Sequence, residues 1–522
     1  MNATFELPVI DYRLLAPLLI ILIAGTLSVL VEAFLPRGGR RPTQLVLVFG
    51  SLIAAIASMA WTCAALVKFP AGDGWGATTA NGTIAVDGPA LMAMGTILVI
   101  AILGAALMAE RSLDPSGDAF AARASALPGS EDEKEFSARG YFQTEIWPLF
   151  LFSVSGMLLF VTSNGLLLMF VALEVMSLPL YLLAGMARRR RLLSQEAGLK
   201  YFLLGAFSSA FFLYGMALIY GYTGSVQLPA IADALTGKTA EGALFLGGLA
   251  LLLVGLLFKV AAAPFHQWSP DVYQGAPTPV TGFMAATVKI AAFGALMRVL
   301  YVAFGGVRWD WQPLVIGVAI LSILVGSITA ITQTDIKRML AYSAIAQAGF
   351  ILVGVSVANP TGVASALFYV ITYAFSTIGA FAIAMMVRNE NGEASHLSQW
   401  AGLGRKSPVV ASVFALFMLS LTGIPFTSGF IAKFAVFEAA LGANEVGLVI
   451  VAVLGSLISA FFYMRVVVVM FFSAPSANTA SVSIPSVFTT IALAAGATVT
   501  LVLGVFPQPL LDLVASNNVF VR

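Results

Sequence analysis

Several ionisable residues lie inside long apolar stretches of the sequence, where charged side chains are rare. Lys259 follows seventeen uncharged residues, Lys289 lies in FMAATVKIAAFGAL and Lys433 lies in SGFIAKFAVF. Glu174 is near the middle of LLLMFVALEVMSLPLYLL. An ionisable residue at the centre of a membrane helix costs about 2.5–3.5 kcal/mol on insertion scales, so these four represent roughly 10 kcal/mol before any compensation. Stability alone would favour leucine at these positions.

A buried lysine is suited to proton transfer, because burial disfavours the charged ammonium and brings proton exchange towards neutral pH, whereas arginine stays charged. Two such charges about 10 Å apart interact by roughly 1.7 kcal/mol at an effective dielectric constant of about 20, so protonation of one site affects the next. A lysine paired with Glu174 stays protonated until the pair breaks. We interpret the four residues as an ion or proton pathway inside a helix bundle. The alternative is that they only join helices through buried ion pairs, although one glutamate cannot neutralise three lysines.

The composition indicates which class of protein positions these residues. Of 522 residues, 59% are hydrophobic and 10% are charged, whereas soluble proteins average roughly 45–50% apolar and about 25% charged residues. A membrane-spanning helix needs about 20 mainly apolar residues. Apolar segments occur at 14–34, 45–67, 88–108, 145–162, 165–186, 198–221, 242–265, 279–304, 312–333, 339–357, 362–387, 408–441, 446–472 and 484–506. We therefore predict an all-α polytopic membrane protein with about fourteen transmembrane helices.

Basic residues in short loops predict the orientation, because cytoplasmic loops hold an excess of lysine and arginine. The loops after odd-numbered segments contain sixteen such residues: Arg37, Arg40, Arg41, Arg111, Arg123, Lys134, Arg139, Arg188, Arg189, Arg190, Arg191, Lys337, Arg338, Arg388, Arg405 and Lys406. The termini and the other loops contain five: Arg13, Lys68, Lys238, Arg308 and Arg522. This asymmetry predicts that both termini lie on the non-cytoplasmic side. The run from Arg188 to Arg191 is interpreted as a lipid-headgroup anchor.

Two of the predicted helices contain a proline close to their lysine. Pro264 follows Lys259 by five residues, and Pro425 precedes Lys433 by eight. Proline removes a backbone donor and disrupts the preceding turn, so we expect both helices to be interrupted. Discontinuous helices beside a buried ionisable group are typical of a transport site. The alternative is a proline kink that only shapes packing, which is weakened because the two cases match.

The interrupted helices are the seventh and the twelfth, and this spacing indicates an internal repeat. LKYFLLGAFSSAFFLYG at 199–215 also aligns with LFYVITYAFSTIGAFAI at 367–383. A repeat of five helices has an odd count, so its second copy enters the membrane from the opposite face. We predict three N-terminal helices plus a charged cytoplasmic loop, 110–144, within residues 1–144. A first five-helix repeat follows at 145–304, an inverted repeat at 305–472 and a C-terminal helix at 473–522.

Other features of the chain narrow the function further. The net charge of +2 provides no basic stripe for nucleic acid. A single cysteine, Cys63, cannot build a disulfide framework, a zinc site or an iron–sulfur cluster, so redox chemistry would belong to a partner. The first apolar segment is too long for a signal-peptide core, so we expect it to be retained. Arg298 and Arg465 lie where pairing or snorkelling is favoured. His266 could take up protons, although a hydrogen-bonded structural role is favoured, and 110–144 is interpreted as a flexible loop or a partner contact.

A longer pattern resembles a known family. Residues 258–298, FKVAAAPFHQWSPDVYQGAPTPVTGFMAATVKIAAFGALMR, are similar to the proton-translocating module shared by the antiporter-like subunits of respiratory complex I and Mrp-type cation/proton antiporters. FVALEVMSLPLYLL, LKYFLLGAFSSAFFLYGM, QTDIKRMLAYSAIAQAGF and LTGIPFTSGFIAKF match it as well. Within the family, PDVYQGAPTPV resembles the N-type subunits more than the L or M types. The resemblance covers about residues 145–472.

This resemblance implies a role for each candidate residue. Glu174 corresponds to the glutamate of the fifth helix, Lys259 to the lysine of the broken seventh helix and Lys289 to that of the eighth. Lys433 corresponds to the lysine of the broken twelfth helix. Lys200 falls on the sixth-helix lysine of N-type subunits, although by sequence alone its position near a helix start indicates snorkelling. The loop 110–144 is not part of the family pattern.

The resemblance also implies a setting for the chain. It would be a multi-pass subunit of a bacterial inner membrane complex that couples electron transfer from NADH to quinone with proton pumping. FMN, iron–sulfur clusters and quinone would be held by partner subunits, and this chain would hold no cofactor. Its partners would be an antiporter-like M-type subunit, small K-, J- and A-type subunits and the lipid bilayer. The alternative is a subunit of an Mrp-type antiporter driven by an ion gradient.

Overall fold

Long helices dominate the computed structural model, which describes residues 9–68, 75–114, 117–121, 127, 130–138, 142–236, 242–390, 392–475 and 479–521. The α-helices of these residues are, in chain order, α1 (Tyr12–Phe34), α2 (Arg37–Cys63), α3 (Gly88–Met108), α4 (Glu131–Ala138), α5 (Ile146–Thr162), α6 (Leu166–Ala184), α7 (Arg191–Thr223), α8 (Leu228–Leu235), α9 (Ala243–Lys259), α10 (Trp268–Gly275), α11 (Thr278–Arg298), α12 (Arg308–Thr332), α13 (Ile336–Ser356), α14 (Pro360–Met386), α15 (Leu403–Lys406), α16 (Pro408–Thr422), α17 (Ser428–Gly442), α18 (Val446–Phe472), α19 (Val487–Val505) and α20 (Gln508–Ser516). A π-helical turn, Val299–Ala303, extends α11.

The helices form a multi-pass membrane protein. Among the described residues, eleven helical segments are long and apolar enough to cross a membrane. Three shorter helices, α5, α9 and α16, are also apolar. The predicted segments 88–108 and 446–472 coincide with α3 and α18. The agreement is this close because uninterrupted apolar runs of about 20 residues satisfy every backbone group internally only as helices.

Two small antiparallel sheets accompany the helices, so the prediction of an all-α chain is incomplete. One sheet joins β1 (Val67–Lys68), β2 (Trp75–Thr79) and β3 (Ile84–Asp87). The turn between β2 and β3 places Ala80, Asn81 and Gly82 at positive φ, as a tight hairpin requires. The other sheet has the order β5 (Gly392–Glu393), β4 (Val387–Asn389) and β6 (Ser481–Val482).

α11, α13 and α14 occupy the centre of the bundle. In the most apolar 18-residue stretch of Thr278–Ala303, 100% of the residues are buried, and in those of Ile336–Ser356 and Pro360–Met386 94% are buried. In the corresponding stretch of Val487–Val505, only 22% of the residues are buried. Helices that are apolar all round belong inside a large bundle, whereas apolar side chains exposed on the outer helices are suited to lipid contact. Polar groups on α11, α13 and α14 are therefore shielded from lipid by protein.

Both predicted interruptions fall between separate helices. α9 ends at Lys259 and α10 begins at Trp268, with Pro264 in the gap. α16 ends at Thr422 and α17 begins at Ser428, with Pro425 in the gap. The first gap is stabilised by hydrogen bonds, because the Ala263 amide donates to Ser322 Oγ at 2.8 Å and the Trp268 indole donates to the Phe258 carbonyl at 3.0 Å. Freed backbone groups thus find partners in neighbouring helices.

The described residues of the predicted loop 110–144 include a short helix and several ion pairs, so this part of the loop is more ordered than the predicted flexible loop. α4 covers the EDEKE sequence. Asp118 pairs with Arg188 at 2.8 Å, and Asp114 pairs with Arg189 at 2.8 Å. The arginine run therefore has protein partners in addition to the predicted lipid contact. Four residues counted for the orientation lie outside the described residues: Arg123, Arg139, Lys238 and Arg522.

Candidate functional site

Lys259 is the last residue of α9 and is 1% exposed. Its Nζ donates to Ser177 Oγ at 2.8 Å and to Tyr181 Oη at 3.0 Å, both on α6. A hydroxyl can accept a hydrogen bond from an ammonium and can also donate one to a neutral amine. The site therefore provides partners for both protonation states of Lys259. The C-terminal end of a helix also carries partial negative charge, which favours a cation at this position.

Glu174 lies one helical turn before Ser177, on the same face of α6. Among the residues that the structure describes, its Oε1 is buried without a hydrogen-bond partner. Glu174 and Lys259 form no ion pair within 4.0 Å in this part of the chain, since the Ser177 and Tyr181 hydroxyls bind the ammonium instead. Glu174 therefore lies one helical turn from a hydroxyl that binds the Lys259 ammonium, without contacting the ammonium itself.

Lys289 lies on the fully buried α11 and is 2% exposed. Its Nζ donates to the Ala344 carbonyl of α13 and lies 5.4 Å from the centre of the Tyr373 ring. Cations are attracted to the face of an aromatic ring. Among the described residues, these neutral groups take the place of a contacting carboxylate.

Lys433 lies on α17 and is 5% exposed. Its Nζ donates to the Thr422 carbonyl at 2.7 Å and to Ser456 Oγ at 2.8 Å. Thr422 is the last residue of α16, so the ammonium caps the C-terminal end of the first half of this broken helix. Lys259 and Lys433 are therefore both buried beside an interrupted helix, but only the Lys433 nitrogen binds a carbonyl at the end of its broken helix.

A network of hydroxyl and amide groups lies between α13, α14, α16 and α18. Gln347 Nε2 donates to the Leu421 carbonyl at 2.8 Å and to Tyr463 Oη at 3.1 Å. Tyr369 Oη donates to Gln347 Oε1 at 2.5 Å. A cavity of about 10 Å³ adjoins Gln347, Tyr369 and Tyr373. That volume is close to the smallest space that holds a water molecule, roughly 10–15 Å³. Tyr373, which lines this cavity, also faces Lys289, and Leu421 precedes the Thr422 carbonyl that binds Lys433, so the network lies between the two lysine sites.

Comparison with known proteins agrees with this geometry. The family model described as NADH:quinone oxidoreductase/Mrp antiporter, TM, matches residues 163–459, which is more than half of the chain. The chain belongs to this family. NADH-quinone oxidoreductase subunit N of Rhodococcus opacus (strain B4) is 54% identical over 540 residues, which cover 100% of this chain and 98% of that protein. The predicted resemblance to N-type subunits of the antiporter-like family is thereby confirmed.

Solved structures have the same fold. A chain in the structure of respiratory complex I from Thermus thermophilus with bound aureothin has a TM-score of 0.76 and 34% identity, covering 96% of this antiporter-family chain and 100% of that one. A chain of the Mrp complex from Dietzia sp. DQ12-45-1b has the same TM-score at 23% identity, covering 97% of each chain. The second similarity shows the fold alone.

Lys200 differs from the other candidate residues of this antiporter-family chain. Its side chain is 41% exposed and pairs with Glu196 and Asp271, each at 2.6 Å. Asp271 also pairs with Arg338 at 2.5 Å. The sequence reasoning missed Asp271, although its position directly after a helix break was a usable signal. A role of Lys200 in proton transfer stays a prediction.

The two arginines within apolar segments both bind protein groups. Arg298 is fully buried and pairs with Asp87 at 2.7 Å, which agrees with the structural role favoured for it. Arg465 donates to the Ile331 carbonyl at 2.8 Å. His266 lies in the gap between α9 and α10, and its Nδ1 has no hydrogen-bond partner among the described residues. The contacts of Arg298 with Asp87 and of Arg465 with Ile331 indicate structural roles for both arginines.

Glu110 is an anchor that the sequence did not reveal. It follows α3 outside the membrane-spanning segments and accepts hydrogen bonds from Ser486 and Thr489 at the start of α19, at 2.6–2.8 Å. Burial by itself raises the pKa of Glu110, but these hydrogen bonds outweigh it and lower the pKa to about 2. Its negative charge therefore persists at neutral pH and faces the positive end of α19.

Proposed function

We propose that this chain is the N-type membrane subunit of a proton-pumping NADH:quinone oxidoreductase and that it moves protons outward from the cytoplasm. Lys259 and Lys289 would load from the cytoplasmic side, and Lys433 would lie towards the exit. Glu174 would communicate with the adjacent subunit, and Lys200 would serve the cytoplasmic side. Charge rearrangement in neighbouring subunits would drive the transfer.

The observation that carries this proposal is the way in which the buried lysines are held. Lys259, Lys289 and Lys433 are each at least 95% buried, and among the described residues their nitrogens contact hydroxyl and carbonyl oxygens. A lysine that served only to join helices would be paired with a carboxylate, as Arg298 is with Asp87. Neutral partners leave the ammonium free to lose its proton without stranding a buried carboxylate.

The route between the lysines is supported by the polar network. Lys289 on α11 faces Tyr373, and the network of Tyr369, Gln347 and Tyr463 leads towards the break that Lys433 caps. Hydroxyl groups both donate and accept, so they can transfer a proton together with small numbers of water molecules. Charges spaced along such a row affect one another by roughly 1–2 kcal/mol at about 10 Å, which is enough to couple successive transfers.

The proposed architecture follows from the helices and their breaks. Eleven long segments together with α5, α9 and α16 would provide fourteen crossings, with α10 and α17 as the second halves of interrupted helices. The helices α5–α11 and α12–α18 would form inverted repeats, each with one broken helix. The distribution of basic residues supports a cytoplasmic membrane location with both termini on the outer side.

The proposed partners are the other membrane subunits of the complex, namely an M-type antiporter-like subunit and small K-, J- and A-type subunits. FMN, iron–sulfur clusters and quinone would be held by partner subunits. Identity of 54% with an N subunit and of 34% with a complex I chain supports this assignment over the Mrp-type alternative, for which the identity is 23%. Purification in mild detergent separates the two: NADH-oxidising partners support complex I, and small membrane subunits alone support an antiporter.

Replacement of Lys259 by alanine tests the proposal. We expect Lys259→Ala to lower NADH-driven proton pumping in membrane vesicles by about tenfold or more, since a positioned proton-transfer group contributes at least that much. Lys406→Ala is the matched control, because Lys406 is an exposed lysine at the end of the short helix α15. Assembly is checked by recovery of the intact complex. Wild-type pumping in assembled Lys259→Ala complex would remove Lys259 from the pathway.

A further inference from the structure

A cavity of about 80 Å³ with several charged side chains in its lining lies where the loops after α6 and α14 meet the first turns of α11 and α13. Its lining includes Arg190, Thr278, Lys337, Arg388 and Glu393. A water molecule needs roughly 10–15 Å³, so the cavity has room for several. The loops around it carry the basic residues that place this face in the cytoplasm. The cavity therefore has room for water on the side from which protons would be taken up.

Three side chains form a hydrogen-bonded row from the mouth of this cavity inward. Glu393 is the outer group, with a side chain that is 27% exposed. Thr278 Oγ1 donates to Glu393 Oε2 at 2.5 Å, and Lys337 Nζ donates to Thr278 Oγ1 at 3.0 Å. Lys337 is 8% exposed and also donates to the Ala276 carbonyl at 2.7 Å. The row thus runs from an accessible carboxylate through a hydroxyl to a buried amine.

Other charged side chains lie around the row of Glu393, Thr278 and Lys337, but the two hydrogen bonds that join these three residues are present. Arg388 Nη1 lies 4.0 Å from Glu393 Oε1, so the carboxylate is bound by the threonine on one oxygen and faces an arginine on the other. The other charged side chains that line this cavity are Glu110, Asp114, Asp118, Arg188, Arg189, Arg190 and Arg388. Asp335 lies just before the start of α13. The arginines stay charged, so they cannot take part in proton transfer themselves.

We propose that Glu393, Thr278 and Lys337 collect protons from the cytoplasmic side and deliver them to the helix pair that carries Lys289. Glu393 takes a proton from water in the cavity. The Thr278 hydroxyl then gives its hydrogen to a neutral Lys337 amine as the Glu393 carboxyl replaces it. The products are a carboxylate, an intact hydroxyl and an ammonium. The observed hydrogen bonds, with Lys337 donating to Thr278 and Thr278 donating to Glu393, are those of this product state.

The position of the row on α11 and α13 connects it to the buried lysines. Thr278 begins α11, and Lys289 lies eleven residues farther on the same helix, or about 16 Å along its axis. Lys337 lies in the first turn of α13, and Ala344, whose carbonyl binds Lys289, lies two turns later. Both ends of the transfer are therefore held between the same two helices. This inference rests on the proposed function, because it supplies the uptake step for the Lys289 site.

The quantity measured is the NADH:quinone turnover of the assembled complex, in inverted vesicles with an uncoupler present. Turnover serves as the readout of proton uptake. We expect Glu393→Gln to lower turnover about tenfold at pH 8, within the range of a lost proton-transfer group. Imidazole added to the cytoplasmic face should restore the rate, because a mobile buffer can deliver protons into a hydrated recess. Glu390→Gln, at an exposed position in the same loop, is the matched control and should leave turnover unchanged.

Substitutions at two further positions separate transfer from structural support. Thr278→Val removes the hydroxyl but keeps the branched shape, and Thr278→Ser restores the hydroxyl, so only the valine variant should be slow. Lys337→Arg keeps a cation beside the Ala276 carbonyl but cannot release a proton, so it should be slow and should not respond to imidazole. Equal rates for the valine and serine variants, or a Glu393→Gln defect that imidazole does not restore, would overturn the inference.

A Lys289→Ala variant distinguishes failure of this inference from failure of the proposed function. If Lys289→Ala abolishes pumping while Glu393→Gln and Thr278→Val are normal, the collecting row is wrong and the buried pathway stands. If Lys289→Ala pumps normally, the proposed pathway through α11 fails, and the inference fails with it.

Discussion

Gly423 is the residue whose replacement tests the second helix break most directly. It closes α16 at φ +89°, and a Cβ added there would lie 2.9 Å from Lys433 Cδ. An L-residue in the left-handed region costs about 1–2 kcal/mol. The lysine stem must also move aside, which draws Nζ away from Thr422 or Ser456, and a hydrogen bond to a charged group is worth about 1.5–3 kcal/mol. Gly423→Ala should therefore cost about 2.5–5 kcal/mol at this site.

This free-energy cost mainly lowers the population of the observed position of the Lys433 side chain. Since 1.4 kcal/mol corresponds to a factor of ten, the loss of one hydrogen bond alone would lower the population of the observed lysine position by about tenfold or more. We expect Gly423→Ala to reduce NADH-driven proton pumping strongly and to lower the thermal denaturation midpoint of the purified complex. Both quantities are measured on the same preparation, so that a pumping defect can be separated from loss of protein.

Gly442→Ala is the matched control. Gly442 is the last residue of α17, and a Cβ there would meet no atom within 4 Å. Because alanine favours a helix over glycine by about 0.5–1 kcal/mol, this variant should be neutral or slightly more stable. If Gly423→Ala pumps and denatures like Gly442→Ala, the lysine at the break is not held as we describe.

The sequence predicted the features that depend on residue type and local spacing. A buried lysine is visible in sequence because its expected penalty in an apolar segment is several kcal/mol, and this identified Lys259, Lys289 and Lys433. A proline identifies a break because it removes a backbone donor, and both gaps lie at Pro264 and Pro425. These signals do not depend on which helices are neighbours.

The partners of those residues could not be predicted in the same way. Gln347, Tyr369 and Tyr463 lie on three different helices, and a buried amide or hydroxyl looks the same in sequence whether it binds its own backbone or a neighbour. Lys337 was counted as a cytoplasmic loop charge, because its polar neighbours hid the fact that α13 begins at Ile336. The Glu393 contact depends on a loop that returns from α14, which no local pattern encodes.

The geometry also shows what binds Lys259 in place of a carboxylate. A carboxylate in contact with Lys259 would hold it in the charged form and oppose transfer. Ser177 and Tyr181 bind Lys259, and Glu174 lies one helical turn before Ser177 without binding the lysine. A site of this kind can respond to the state of Glu174 without being locked by it.

Two further predictions concern hydrogen-bonded groups, one set beside Lys259 and one at the start of α19. The double variant Ser177→Ala/Tyr181→Phe should depress proton pumping more than either single change, because each hydrogen bond to the Lys259 ammonium is worth about 1.5–3 kcal/mol; normal pumping in the double variant would contradict the proposed role of the hydroxyls. Glu110→Gln should lower the thermal denaturation midpoint of the complex at pH 7, since it removes the charge that binds the start of α19. The pKa of Glu110 is lowered from 4.5 to about 2, so its contribution to stability is fully present above pH 4.5 and is lost as the pH falls towards 2. The difference in midpoint between wild type and Glu110→Gln should accordingly be equal at pH 7 and pH 5.5 and narrow only below about pH 4.5. A difference that already disappears between pH 7 and pH 5.5 would mean that another group, and not the Glu110 carboxylate, holds α19 in place.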